Sequence, residues 1–228
     1  MQKMFVFIAV IFLLSPRSYA QYPPQDHWYS NPLGFKPVQL HTGMGFLIPA
    51  VAVGAGLLLT KKDPDLQQRL SIYNESGVSW GYKYPYTLMT QNSTGINFQL
   101  RRWMSAGIEA GVYFPRDSVN TSVGLAIRPF ARFYPINREG WNLYFESGGG
   151  FIYFTDAFPL PTNQDDRRGT YFNGVTKYGI GSEIRFNAST ALLLGVRHVH
   201  VSNGDSKGVE RNPSHDSNGF YVGFSFRP

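Results

Sequence analysis

Ser105-Ala106-Gly107-Ile108-Glu109-Ala110-Gly111-Val112-Tyr113-Phe114 alternates without a break. Ala106, Ile108, Ala110, Val112 and Phe114 fall on one face, and Ser105, Gly107, Glu109, Gly111 and Tyr113 on the other. Period two marks a strand with two unlike faces. The pattern returns in Val123, Leu125, Ile127, Ala131 and Phe133, then in Trp141, Leu143, Phe145, Phe151 and Tyr153, and again in Phe172, Tyr178, Ile180, Ile184 and Phe186. The opposing faces are rich in glycine and carry both signs of charge, with Glu109, Glu146, Glu183, Arg128, Arg132, Arg185 and Arg197. A soluble sandwich turns its polar faces outward and has few glycines among them. Small and oppositely charged side chains instead suit the lumen of a narrow closed barrel whose apolar face meets lipid. With so little room inside, the charges are expected to pair in a packed ionic interior.

The expectation is therefore an all-β fold, an eight-stranded antiparallel transmembrane β-barrel of the bacterial outer membrane. Its strands are placed near 40–50, 94–103, 105–114, 121–134, 141–154, 170–186, 189–202 and 217–226. Connections after the second, fourth and sixth strands are short and those after the first, fifth and seventh long and polar, as in barrels with periplasmic turns and outer loops. The third, Pro115 to Asn120, is short for an outer loop. The apolar run from Met44 to Leu59 is short for a membrane helix and is interrupted by Pro49, Gly54 and Gly56, so it is read as the first strand with a hydrophobic continuation. Ahead of it, Lys3, the apolar run Phe5–Leu14 and Ser18-Tyr19-Ala20 form an export signal over residues 1–20. Residues 21–38 follow as an irregular periplasmic leader, and residues 39–228 as the barrel domain.

The 228 residues contain no cysteine, which excludes a disulfide scaffold and thiolate metal sites. The formal charge of +6 is scattered among glycines and aromatics, which argues against a nucleic-acid partner. No zinc-ligand spacing or phosphate loop occurs.

Chemistry gathers near the C-terminus, in His198-Val199-His200-Val201-Ser202-Asn203-Gly204 and, after a polar loop, Asp216. Residues two apart on a strand stand roughly 6.6 Å apart and point the same way, so His200 can act as base toward Ser202. Asp216, returning on the next strand, can orient that imidazole. The Asn203 amide and the Gly204 N–H are the candidate oxyanion donors. By parity His200, Ser202 and Asp216 share the lipid-facing side with Leu194 and Val222. Polar groups there are costly and call for a functional reason. His198 lies on the same face, where a structural or headgroup contact is the simpler reading, and Arg211 and Lys207 are candidates for attracting phosphates.

His200-Val201-Ser202-Asn203-Gly204, with Asn212-Pro213-Ser214-His215-Asp216 and the final aromatic strand, resembles the C-terminal signature of PagL-type lipid A 3-O-deacylases. The resemblance implies an eight-stranded outer-membrane barrel with a His-x-Ser pair and a downstream carboxylate on its outer wall. It implies a serine esterase that hydrolyses the 3-O-linked acyl chain of lipid A without metal or cofactor. His200 would match the base, Ser202 the nucleophile and Asp216 the acid, with lipid A or lipopolysaccharide and outer-membrane lipid as partners. Two departures stand out: the acid is Asp where the family usually has Glu, and Gln21 to Thr90 has no evident counterpart. A homodimer is left open. The alternatives are a non-catalytic barrel acting as anchor or adhesin, and a lipid A acyltransferase.

Overall fold

The structure, a computed structural model, describes residues 42–228 apart from 65, 67, 68 and 82. The expected export signal and leader lie outside the described residues. Helix α1 (Thr42–Leu59) precedes eight strands: β1 (Leu70–Gly81), β2 (Leu88–Arg101), β3 (Met104–Arg116), β4 (Gly124–Asn137), β5 (Trp141–Phe158), β6 (Thr170–Arg185), β7 (Thr190–Ser202) and β8 (His215–Phe226). Each strand pairs antiparallel with its sequence neighbour, and β1 with β8 closes the barrel. Connections at 102–103, 138–140 and 186–189 are short turns at one end; those at 82–87, 117–123, 159–169 and 203–214 form the opposite rim. The compact 117–123 loop is held by Asp117, whose Oδ1 accepts the Val119 and Asn120 N–H groups, both at 2.7 Å.

The expected eight-stranded closed barrel is observed, but its first strand is not where the sequence placed it. Residues 42–59 are helical, and β1 is Leu70–Gly81. Of the residues read as helix breakers, Pro49 and Gly56 instead help build one helix face, while Gly54 lies off it. Gly45, Pro49 and Gly56 are buried on it, with Ala52 and Val53 half-buried between them. That face rests on the outside of the barrel, where Ala106, Pro129 and Ala131 replace the bulky residues found elsewhere on the wall. Small residues on both sides let the backbones approach closely, so packing overrides propensity. Among the described residues no helix is long and apolar enough to cross a membrane by itself. At its C-terminal end Arg101 caps α1, donating to the carbonyls of Leu57 (3.3 Å) and Thr60 (2.9 Å).

The lumen is filled. Arg128 donates to Glu109 (3.1 Å) and Glu146 (2.7 Å), Arg132 to Glu146 (2.8 Å), and Lys177 reaches Glu109 (2.5 Å) and Glu75 (3.4 Å). Arg197 lies against the Glu75 carboxylate and stacks on Tyr221. All of these groups are buried. Outside, Leu125, Ile127, Phe151, Phe172, Val222 and Phe224 are exposed, as a lipid-facing wall requires.

Arg128→Met would take from Glu109 and Glu146 one of the two cations each of them meets, so it should destabilise the barrel by about 3 kcal/mol, the low end for breaking a buried pair. Denaturant titration of the folded band, followed by heat-modifiable gel mobility, measures this.

Candidate functional site

The β7–β8 register sets His200 directly opposite Asp216 and His198 opposite Asn218. Directly opposed residues share a face, with Cβ atoms roughly 5 Å apart. The His200 Nδ1–H accordingly donates to Asp216 Oδ1 at 2.7 Å. The same oxygen faces His198 Nε2 at 3.3 Å, while His198 Nδ1 lies 2.9 Å from Asn218 Oδ1 and its ring packs on Tyr178. The Lys83 ammonium stands 3.6 Å from Asp216 Oδ2 and also donates to Ser214 Oγ at 3.4 Å, bringing the β1–β2 loop to the site. The shorter Asp side chain suffices because the register places it straight across from His200.

His200, Ser202 and Asp216 have the outward parity of Leu194, Val222 and Phe224, yet all three are buried. Ser202 ends β7 at the long-loop rim. Its hydroxyl donates to Asn212 Oδ1 at 3.0 Å and accepts the Gly204 N–H at 3.0 Å, so it is turned toward the loop and makes no hydrogen bond to His200. Asn212 Oδ1 also takes the Asn203 N–H at 3.1 Å, and its amide donates to Asp205 at 2.8 Å. Gly204 has φ +61°, a left-handed conformation that glycine adopts without strain and that aims its N–H at Ser202. The Asn203 side-chain amide instead serves the loop, donating to Arg211 O (2.5 Å) and Thr170 Oγ1 (3.3 Å).

Two neighbouring loops are tied together here. Arg211 donates to the carbonyls of Arg168 (3.0 Å) and Gly169 (3.1 Å), so this guanidinium, read from sequence as a phosphate contact, is committed to backbone. Arg167 donates to Asn212 O at 3.3 Å, and its hydrogen bonds to Asp165 hold that carboxyl below its ordinary range. His215, expected in the loop, begins β8 and lies against the Phe158 ring. Sequence spacing does not reveal Lys83, Asn212 or Asn218, whose roles come from register and loop closure.

His198, His200 and Asp216 offer one ligand atom each within 4.8 Å of one another and could hold a cation. The carboxylate oxygen between two imidazole nitrogens is equally the arrangement of an acid that orients a base.

A family model described as lipid A 3-O-deacylase (PagL) matches residues 74–225, which contain all of these side chains. The chain belongs to the PagL family. The match takes in β1 and β2, so the counterpart of the family begins well before Thr90, while α1 lies outside it. No curated protein matches. Among solved structures, the outer-membrane enzyme PagL is similar at 15% identity and a TM-score of 0.49, over 68% of this chain and 99% of that one. Neisserial surface protein A is similar at 8% identity and a TM-score of 0.51, over 70% and 97%. The N-terminal barrel domain of Pseudomonas aeruginosa OprF is similar at 15% identity and 0.43, over 70% and 100%. The PagL-family barrel is thus an outer-membrane protein whose lipid-facing wall carries the His200–Asp216 pair.

Asn212→Ala removes the acceptor shared by Ser202 and Asn203, two hydrogen bonds worth about 1 kcal/mol each. Trypsin should then cut at Lys207 or Arg211 roughly tenfold faster or more, with the barrel itself intact on gels.

Proposed function

We propose that this PagL-family barrel is a serine esterase that hydrolyses the 3-O-linked acyl chain of lipid A in the outer membrane. The observation that carries the reading is the His200–Asp216 hydrogen bond on the outward face, with Ser202 two residues along the same face and the Gly204 N–H on its oxygen. Rotation about the Cα–Cβ bond would turn the hydroxyl from Asn212 toward the imidazole; such contacts commonly tighten only with substrate bound.

In this mechanism His200 takes the proton of Ser202 as its Oγ attacks the ester carbonyl carbon. The Gly204 N–H stabilises the oxyanion, a role in which each donor is worth roughly 10²–10³-fold in rate. Asn203 contributes by fixing the loop that carries Gly204. Collapse of the intermediate breaks the ester C–O bond, and His200 returns the proton to the departing sugar hydroxyl. Water, deprotonated by His200, then hydrolyses the acyl-enzyme and releases the fatty acid. Asp216 orients the base and stabilises its charged form. Lipid A reaches the site by lateral diffusion, because the lumen is blocked by ion pairs.

Mass spectrometry of lipid A from cells carrying the intact protein should show loss of one hydroxyacyl chain, absent with Ser202→Ala and with His200→Asn. Asp216→Asn should leave residual turnover, lowered by up to roughly 10⁴-fold. Unchanged spectra with the intact protein would favour a non-catalytic barrel, and a gained chain an acyltransferase.

A further inference from the structure

Register extends the site sideways. Ser202 pairs with Gly174, Gly174 with Phe151, and Phe151 with Ile127, which places these four residues in one row across β7, β6, β5 and β4. Gly174, which stands between Ser202 and Phe151 in this row, has no side chain, and beyond it Leu125, Ile127, Phe151, Tyr153 and Phe172 line an apolar furrow of about 330 Å³. One side-chain step lower, roughly 6.6 Å along the strands, the outward positions are His200, Thr176, Gly149 and Pro129. Here the wall changes character. Thr176 and Gly149 are buried, and a Cβ on Gly45 of α1 would meet the Thr176 methyl at 2.3 Å. From that contact α1 crosses β5 and β4 to the β2–β3 turn, where a Cβ on Gly56 would meet Trp103 at 2.8 Å.

We propose that α1 is part of the substrate site: it forms the lower lip of an acyl seat that starts at Gly174 and so sets the length of fatty acyl chain the enzyme accepts. This rests on the assignment of Ser202 as nucleophile. A chain whose carbonyl is held at Ser202 crosses the Gly174 gap and lies on Phe151 and Ile127. Carbons beyond the furrow meet the helix, because the downward course along β6 is closed where Gly45 touches Thr176. Phe46, Leu47, Ile48 and Val51 face outward on α1 and complete an apolar lip. The lip belongs to this chain's own architecture, since α1 precedes the family match at 74–225.

The chain has no cysteine of its own, so a Gly45→Cys/Thr176→Cys pair reports docking cleanly. The two Cβ positions are 3.2 Å apart, and a shift of a few tenths of an ångström brings them into disulfide range. Oxidation in outer membranes should crosslink the pair. Ala131 lies on the wall beneath α1 at 2% exposure. Ala131→Phe puts there a side chain ordinary for lipid-facing strands, and should displace the helix and lower crosslinking in the cysteine background.

Hydrolysis of p-nitrophenyl esters from butyrate to palmitate in detergent micelles then gives a chain-length profile. Ala131→Phe should move the optimum of relative kcat/KM to longer chains, because the carbons that met the helix are no longer blocked. Failure to crosslink, or an unchanged profile once crosslinking is lost, overturns the proposal. Loss of all ester hydrolysis on undocking overturns it too, because a lip sets length without being needed for turnover. Hydrolysis that survives Ser202→Ala sinks the serine mechanism instead, and crosslinking still reports where α1 sits.

Discussion

Arg128, held between Glu109 and Glu146 at the centre of the barrel, is the interaction on which the rest of the molecule depends. An eight-stranded barrel encloses only enough room for its own side chains. Here that room is taken by Arg, Lys, Glu and Tyr in mutual contact, each charge buried and each paired. Buried charges are tolerable only when partnered, so the network both seals the lumen and makes the closed register the one that satisfies it. No substrate can pass through such a centre. Any chemistry must be carried by the outer wall or the rim.

On an outer wall the difficulty is reversed, because polar groups that face hydrocarbon lack water. The barrel meets it by placing the His200–Asp216 pair near the long-loop rim and enclosing it. Tyr178 covers His198, Lys83 arrives from the β1–β2 loop, and the 203–214 loop folds back through Asn212 onto Ser202. Arg167 and Arg211 tie that loop to its neighbour through backbone carbonyls. The site is therefore supported by strand register on one side and by loop closure on the other. The helix adds a third boundary, bringing an apolar edge to the row of residues just below Ser202.

Much of this was legible in the sequence because period two is a local property. Ile108, Leu125, Phe151 and Phe224 announce lipid-facing positions, and Glu109, Arg128 and Glu146 announce a charged lumen, from parity alone. The His200–Ser202 spacing gave the shared face, and parity brought Asp216 to it. What misled was β1, whose outward residues Asn74 and Ser76 are polar. Asn74 donates to Asn92 and Thr94 of β2 and Ser76 accepts from Asn92, hydrogen bonds across the wall that replace the apolar pattern marking the other strands. The missing strand was then replaced by the apolar run that is in fact α1.

By itself, then, the chain determined an alternating all-β barrel with a paired ionic centre and a histidine, a serine and a carboxylate on one face near its C-terminus. Tertiary structure alone decided that Gly45, Pro49 and Gly56 form a helix face, since only a wall of small residues makes those helix-weakening residues useful. It alone decided which oxygen each polar group meets: Asp216 for His200, Asn212 for Ser202, backbone carbonyls for Arg211. Such choices depend on which residues stand opposite one another across strands and on how loops close. Those separations are long in sequence and short in space, so no local pattern records them.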